Sequence, residues 1–168
     1  MAEQMGLQPS VLLPLSAAEV FERYADTVYR LAFARTKSRA DADDLLQEVF
    51  VRYIRSTPDF LEEEHRKAWL IRVTLRCSAN IMLSAWKRHT VPLDEAAHEL
   101  SAPPKSDYSD VYDAVMRLPA KYRTAVHLFY YEGYSIAMIA QLCGLSEATV
   151  KTHLFRAREK LRKKLTDM

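Results

Sequence analysis

The chain has 168 residues, of which 49% are hydrophobic and 27% are charged, and its formal net charge is +2. Three glycines against nine tyrosines and six phenylalanines exclude a collagen-like or disordered chain, and no apolar run approaches the ~20 residues of a membrane span. No Lys or Arg precedes the apolar stretch VLLPLSAA and the two cysteines are far apart, so we expect a cytoplasmic protein without membrane insertion.

Three helices are predicted in the first half of the chain, after an N-terminal extension at residues 1–16. Over 17–35, apolar residues recur at three- and four-residue steps, which is the helical period. The pattern SRAD at 38–41 resembles a capping box and starts a second helix that runs to about residue 55. A third helix follows Pro58, from about residue 64 to 88. We therefore predict a small helical bundle over 17–89.

The composition changes at residues 90–110, TVPLDEAAHELSAPPKSDYSD, which contain three prolines and five acids. This composition predicts a flexible linker and a domain boundary. Four further helices are predicted at 111–118, 120–131, 135–143 and 146–165. The fold class is therefore all-α, with two small helical domains, the N-terminal helical bundle and a C-terminal helix-turn-helix over 111–168, joined by the linker.

The stretch IAQLCGLSEATVKTHLFRAREKL, residues 139–161, indicates the helix-turn-helix. Ala140 is small enough for close helix contact, Gly144 can end one helix at positive φ, and Ser146 can cap the next. The second helix of such a motif enters the major groove. Its candidate DNA contacts are Ser146, Glu147, Ala148, Thr149, Lys151, Thr152, Phe155 and Arg156. A helical hairpin with a solvated face is the alternative.

Positive charge is concentrated in the same part of the chain. Residues 111–168 carry ten Lys or Arg against five Asp or Glu, and seven of the ten lie between Lys151 and Lys164. Clustered cations release condensed counterions when they meet phosphates, so this asymmetry favours a polyanionic partner.

Two helices of the N-terminal bundle also carry candidate contact surfaces. The second, DADDLLQEVFVRYIR, combines acids with apolar residues and suits a basic protein partner, although a solvated acidic face is the alternative. The third interleaves basic and aromatic residues, a pattern that can follow phosphates and stack on unpaired bases. Its tryptophans, Trp69 and Trp86, can equally belong to the core.

With these motifs in place, the chain resembles the extracytoplasmic-function sigma factors. The matching stretches are FERYADTVYRLA, DADDLLQEVF, KAWLIRV and LPAKYRTAVHLFYYEGYSIAMIAQLCGLSEATVKTHLFRAREKL, in that order. The resemblance implies a protein that binds core RNA polymerase, directs it to promoter DNA and helps open the duplex. It also implies an anti-sigma protein as a regulatory partner.

The resemblance further implies roles for individual residues. The helix-turn-helix would read the minus-thirty-five element, and the polymerase contacts would be Asp43, Asp44, Gln47 and Glu48. The single-stranded minus-ten element would be contacted by Arg72, Arg76, Asn80, Lys87 and Arg88. The stretch RCSANIMLSAWKRH departs from the family pattern, because Leu83 and Ser84 stand where basic residues are common.

Other classes of protein find less support in the sequence. The five histidines form no HExxH motif, there is no Gly-rich phosphate loop, and Cys and His are scattered, so we expect no catalysis, metal or cofactor. The main alternative is a stand-alone helix-turn-helix regulator that binds DNA without polymerase. A third class, an adaptor for polymerase, would show no sequence-specific DNA binding.

Overall fold

The computed structural model describes residues 15–56, 58–88 and 109–167, and every regular element within them is helical. The all-α prediction is confirmed. Most of the predicted N-terminal extension and linker lies outside the described residues. The helices are α1 (Ala17–Thr36), α2 (Arg39–Ser56), α3 (Glu63–Arg88), α4 (Ser109–Met116), α5 (Ala120–Val126), α6 (Ile136–Cys143) and α7 (Glu147–Thr166).

Helices α1, α2 and α3 form the predicted N-terminal bundle. Val28, Leu45 and Leu70, one from each helix, are fully buried in its core. A reciprocal capping box starts α1: Ser16 Oγ accepts a hydrogen bond from the Glu19 N–H at 3.2 Å, and the Glu19 carboxylate accepts one from the Ser16 N–H at 2.8 Å. The capping box thus fixes the N-terminal end of α1.

The junction between α1 and α2 is a tight turn. α1 ends at Thr36 and is followed by its cap residue, Lys37, which adopts the left-handed conformation with φ of 55°. Ser38 Oγ accepts a hydrogen bond from the Asp41 N–H at 3.2 Å, as the SRAD pattern predicts. The Ser38 N–H donates to Thr36 Oγ1 at 3.4 Å, so the reciprocal half of the predicted box is replaced by a hydroxyl of the preceding helix.

Helices α4 to α7 form the C-terminal unit, and α6 and α7 form its helix-turn-helix. Ser135 Oγ caps α6 by accepting from the Met138 N–H at 3.2 Å. Gly144 ends α6 with φ of 66°, and the Leu145 N–H donates to the Ala140 carbonyl at 2.9 Å. These details agree with the predicted motif, because glycine adopts positive φ without the steric penalty of a Cβ atom.

The helix predicted over 120–131 differs from the structure in its last turn. α5 ends at Val126, and the chain continues as a π-helical turn, His127–Tyr131, closed by a 3.0 Å hydrogen bond from the Glu132 N–H to the His127 carbonyl. The Glu132 carboxylate then contacts the Lys67 ammonium group on α3 at 3.0 Å. Apolar periodicity cannot distinguish such a wide turn from a continuous α-helix.

The N-terminal bundle and the C-terminal unit share an apolar core. Leu31 of α1 and Ile71 of α3 are fully buried against the C-terminal unit, as is Leu128 from the other side. α3 therefore has two apolar faces, since Leu70, Val73 and Cys77 face its own bundle while Ile71 and Leu75 face the C-terminal unit. The two helical units pack together directly.

A buried arginine on α5 completes this contact. The Arg123 side chain is 4% exposed. Its Nε donates to the Ala34 carbonyl, Nη2 donates to the Arg35 carbonyl at 3.2 Å, and Nη1 donates to the Leu118 carbonyl at 2.6 Å. Burial and the nearby Arg35 guanidinium lower the pKa of Arg123 to about 10, so it remains charged at neutral pH. It thus caps the C-terminal carbonyls of α1, where a helix dipole favours positive charge.

An ion pair forms a second polar contact between the units. The Glu132 carboxylate is 9% exposed and lies 3.0 Å from Lys67 Nζ and 3.7 Å from His127 Nε2. His127 and Lys67 together hold the pKa of Glu132 below its ordinary value. The carboxylate is therefore ionised in the folded protein at neutral pH.

Replacing the buried arginine tests its role in holding the units together. Arg123→Ala is expected to lower the free energy of unfolding by about 2–4 kcal/mol, because charged hydrogen bonds to buried carbonyls and side-chain packing are lost. Urea unfolding followed by circular dichroism measures the change. Arg117→Ala removes an exposed arginine nearby and should have little effect. Equal stability of the two variants would contradict the role of Arg123.

The Glu132 ion pair predicts a pH-dependent difference in stability. Because the folded-state pKa of Glu132 is lowered, its stabilising contribution is present above the ordinary pKa and is lost as the pH falls through the folded-state pKa. Glu132→Gln should cost about 1–2 kcal/mol at pH 7, and the deficit should shrink on acidification. Urea unfolding between pH 7 and pH 3 measures this. A deficit independent of pH, or the same profile for the exposed Glu62→Gln, would refute it.

Candidate nucleic-acid interface

The outer face of α7 presents the residues predicted to contact duplex DNA. Val150, Leu154 and Ala157 are buried on the opposite face, which orients the helix as the sequence predicts. Of the candidate contacts, Thr149 is half-buried and seven are exposed: Ser146, Glu147, Ala148, Lys151, Thr152, Phe155 and Arg156. This face is therefore available to a major groove.

The first turn of α7 has a geometry that suits a phosphate. Ser146 Oγ accepts from the Thr149 N–H at 3.1 Å and lies 2.8 Å from Thr149 Oγ1. The cap satisfies one N–H of the first turn, and the positive end of the helix dipole lies at the exposed surface. Lys151, one turn on, adds a formal positive charge. Anion binding at this end is thus favoured by the backbone and a side chain together.

A groove beside α7 adds residues of α5 to the same surface. Lys121 and Tyr122 line it together with Thr152, His153 and Arg156. The Arg156 guanidinium and then Lys121 lower the pKa of the Tyr122 hydroxyl, and burial with these same cations lowers the pKa of His153. Sequence analysis missed Lys121 and Tyr122, because no local motif joins them to a helix that begins more than twenty residues later.

The minus-ten candidates lie on α3. Arg72 is half-buried, whereas Arg76 and Asn80 are exposed, and the three are spaced four residues apart along one side of the helix. Lys87 and Arg88 belong to the last turn of α3, but their side chains lie outside those described. Trp69 packs edge-on against Tyr53 in the bundle, with ring centroids 5.7 Å apart. The core interpretation of Trp69 is therefore the one its contacts support.

The acidic residues of α2 form a separate exposed surface. Asp43, Asp44, Gln47 and Glu48 are all exposed, and Glu48 Oε1 accepts a hydrogen bond from Arg52 Nε at 2.7 Å. Exposed apolar side chains continue this surface along the helix, namely Val51 at 38% and Ile54 at 56% exposure. A mixed acidic and apolar face is suited to a protein partner, because apolar burial and charge complementarity then act together.

Family models match both helical units. Residues 20–90 match the model of Sigma-70 region 2, and residues 108–161 match that of Sigma-70, region 4. The first match covers the bundle with its acidic and basic surfaces, and the second covers the helix-turn-helix.

Individual relatives match most of the chain. RNA polymerase sigma factor SigV of Bacillus subtilis is 32% identical over 140 residues, which are 82% of this chain and 84% of that protein. ECF RNA polymerase sigma factor SigM of Mycobacterium tuberculosis is 31% identical over 144 residues, 85% of this chain and 74% of that protein.

Solved structures share the fold. The sigma factor RpoE from Bartonella quintana, crystallised with the anti-sigma factor NepR, aligns with a TM-score of 0.69 at 19% identity, over 89% of this chain and 96% of that one. CnrH, in complex with the cytosolic domain of CnrY, aligns with a TM-score of 0.62 at 22% identity, over 90% and 88% of the two chains.

The matches give the class of this protein, a transcription initiation factor built from two helical units. The chain belongs to the extracytoplasmic-function sigma factors of RNA polymerase. The stand-alone regulator is not favoured, since a regulator of that kind requires no region 2. None of the described helices is long and apolar enough to cross a membrane.

Proposed function

We propose that this protein directs core RNA polymerase to specific promoters and promotes DNA opening, with one task for each exposed surface. Residues 17–89 form the polymerase-binding and minus-ten domain, residues 90–110 link the domains, and residues 111–168 read the minus-thirty-five element. α7 enters the duplex, α3 contacts the melted strand, and the acidic face of α2 docks on polymerase.

The observation that carries this proposal is the exposed acidic and apolar face of α2 on the same chain as the helix-turn-helix. Asp43, Asp44 and Gln47 make no contribution to either apolar core, and Val51 and Ile54 remain exposed beside them. A protein that only binds duplex DNA needs no such face. A subunit that must attach to a large enzyme needs one.

The packed arrangement of the two units has a consequence for promoter binding. Elements at minus ten and minus thirty-five are about 25 base pairs apart, which is roughly 85 Å of duplex at about 34 Å per ten base pairs. A compact chain of this length has a radius of gyration of about 15 Å. The packed form therefore cannot contact both elements at once, and the units separate when polymerase positions them.

Polymerase also accounts for how weak contacts become specific. A few base contacts supply about 1–3 kcal/mol each, so either unit alone binds promoter DNA weakly. Holding both units on one enzyme raises the effective concentration of the second contact once the first has formed. An anti-sigma protein that covers the polymerase-facing surface is the regulatory partner that fits this scheme.

Polymerase binding and transcription by a variant with a reversed charge on α2 test the proposal. The purified protein should bind core RNA polymerase in a pull-down and produce promoter-specific run-off transcripts from a promoter library. Asp44→Arg should reduce polymerase binding at least tenfold, because it opposes charge complementarity at the docking face. Asp26→Arg makes the same reversal on exposed α1 and should bind normally. Undiminished binding of Asp44→Arg, or duplex binding without polymerase association, would overturn the proposal.

The contribution of α7 can be tested by the salt dependence of DNA binding. Lys151→Ala should weaken binding of the minus-thirty-five duplex several-fold, and should reduce the slope of log K against log salt by about 1, because one phosphate contact is lost. Fluorescence anisotropy at a series of salt concentrations measures both quantities. Arg55→Ala, which removes a positive charge from the end of α2, should leave the slope unchanged. An unaltered slope for Lys151→Ala would exclude a phosphate contact there.

A further inference from the structure

A cavity of about 370 Å³ lies between α3 and the C-terminal unit. Its basic lining comes from both units: Arg72 and Arg76 of α3 line it together with Lys121 of α5. His153 of α7 also lines it, and Arg35 of α1 lies between α3 and α5, to which it donates hydrogen bonds. The cavity exists only where the two units are packed together. It shares Lys121 and His153 with the groove beside α7.

The charge of this cavity is one-sided. None of the described residues that line it is Asp or Glu. The largely buried Arg35 guanidinium donates to Ser78 Oγ and Thr124 Oγ1, both at 3.0 Å, and these neutral acceptors leave its charge without a carboxylate partner among the described residues. A desolvated cation is costly without a counter-charge, so an anion entering the cavity would offset that cost.

Neighbouring groups report the same positive environment. Burial and then the charges of Lys121 and Arg156 lower the pKa of His153. Burial and then Arg35 lower the pKa of Arg123. Lys121 and Arg35, which both line the cavity, therefore impose a positive potential on the groups beside them.

The floor of the cavity has a different character. It is built from apolar side chains that belong to the core shared by the two units, with Leu75 of α3, Ile139 and Leu142 of α6, and Val150 of α7 among them. Gln141 adds an amide at the edge. A purely inorganic anion would leave this floor uncovered, whereas a molecule with phosphates and a ring would contact both parts.

We propose that this cavity binds a nucleoside diphosphate, with its phosphates among the arginines and Lys121 and its ring on the apolar floor. The volume lies within the range of about 300–1,000 Å³ typical of small-molecule sites. Arginine forks bind phosphate oxygens in pairs, and their planar faces stack on rings. The ligand touches both units and therefore stabilises their packed form. The inference does not depend on the proposed transcriptional role.

Calorimetric titration of the full chain tests the site with ADP, inorganic pyrophosphate and adenosine as separate probes. ADP should bind saturably with one-to-one stoichiometry, and at least tenfold more tightly than either of the other two. Lys121→Ala should weaken ADP binding about tenfold. Lys163→Ala removes the same charge from the exposed end of α7 and should change it less than twofold. Lys121 is itself exposed, so its loss should leave the fold intact.

Photolabelling with 8-azido-ADP locates the site independently. Label in residues 75–79 and 139–150, which include the apolar floor, would support the cavity, whereas label confined to 155–164 would overturn it. The proposal would also be overturned if ADP did not bind saturably, or if pyrophosphate bound as tightly as ADP. It would likewise be overturned if Lys163→Ala weakened ADP binding as much as Lys121→Ala. If the protein supports promoter-specific transcription but does not bind ADP, only the proposed cavity site is refuted. If it binds ADP but does not associate with polymerase, only the transcriptional role is refuted.

Discussion

The contact between Arg123 and the C-terminal end of α1 is the interaction on which the packed arrangement of the two units depends. The last turn of any helix leaves carbonyls without intrahelical partners, and burying them unpaired would oppose folding. Arg123 supplies donors to Ala34 and Arg35 from another unit, 89 and 88 residues further along the chain. Leu31 and Leu128 can then pack in the shared apolar core without leaving unpaired carbonyls at the end of α1.

This interface buries more charge than the core of the bundle. Among the described residues, the bundle buries one ion pair, Arg66 with Glu63, beside its apolar side chains. The interface between units buries the cations of Arg35 and Arg123 and the ion pair of Lys67 with Glu132. Buried charges return less net stability than apolar groups of similar size, because their desolvation opposes their attraction. Separation of the units returns these charged groups to water, which offsets part of the apolar contact that is lost. The binding of two distant promoter elements that we propose requires such a separation.

Local features of the chain could be predicted because their causes are local. The positions of Gly144 and Ser146 alone specify where α6 ends and α7 begins, and the stripe of Val150, Leu154 and Ala157 specifies which face of α7 is buried. Apolar periodicity likewise predicts that α3 has a buried face. It does not reveal what covers the second face of Ile71 and Leu75, because the partner residues lie on the far side of the linker.

The same limit explains which site residues escaped prediction. Lys121 lies on a short helix with no binding motif, and it joins Arg72 and Arg76 only because the two units fold against each other. Basic residues of the two proposed DNA surfaces become neighbours in the packed form, and their mutual repulsion opposes that form. An anion lying among them would favour packing, whereas the proposed contacts with polymerase and promoter would favour separation. The distribution of positive charge therefore couples the conformation of the chain to whatever negative charge is bound to it.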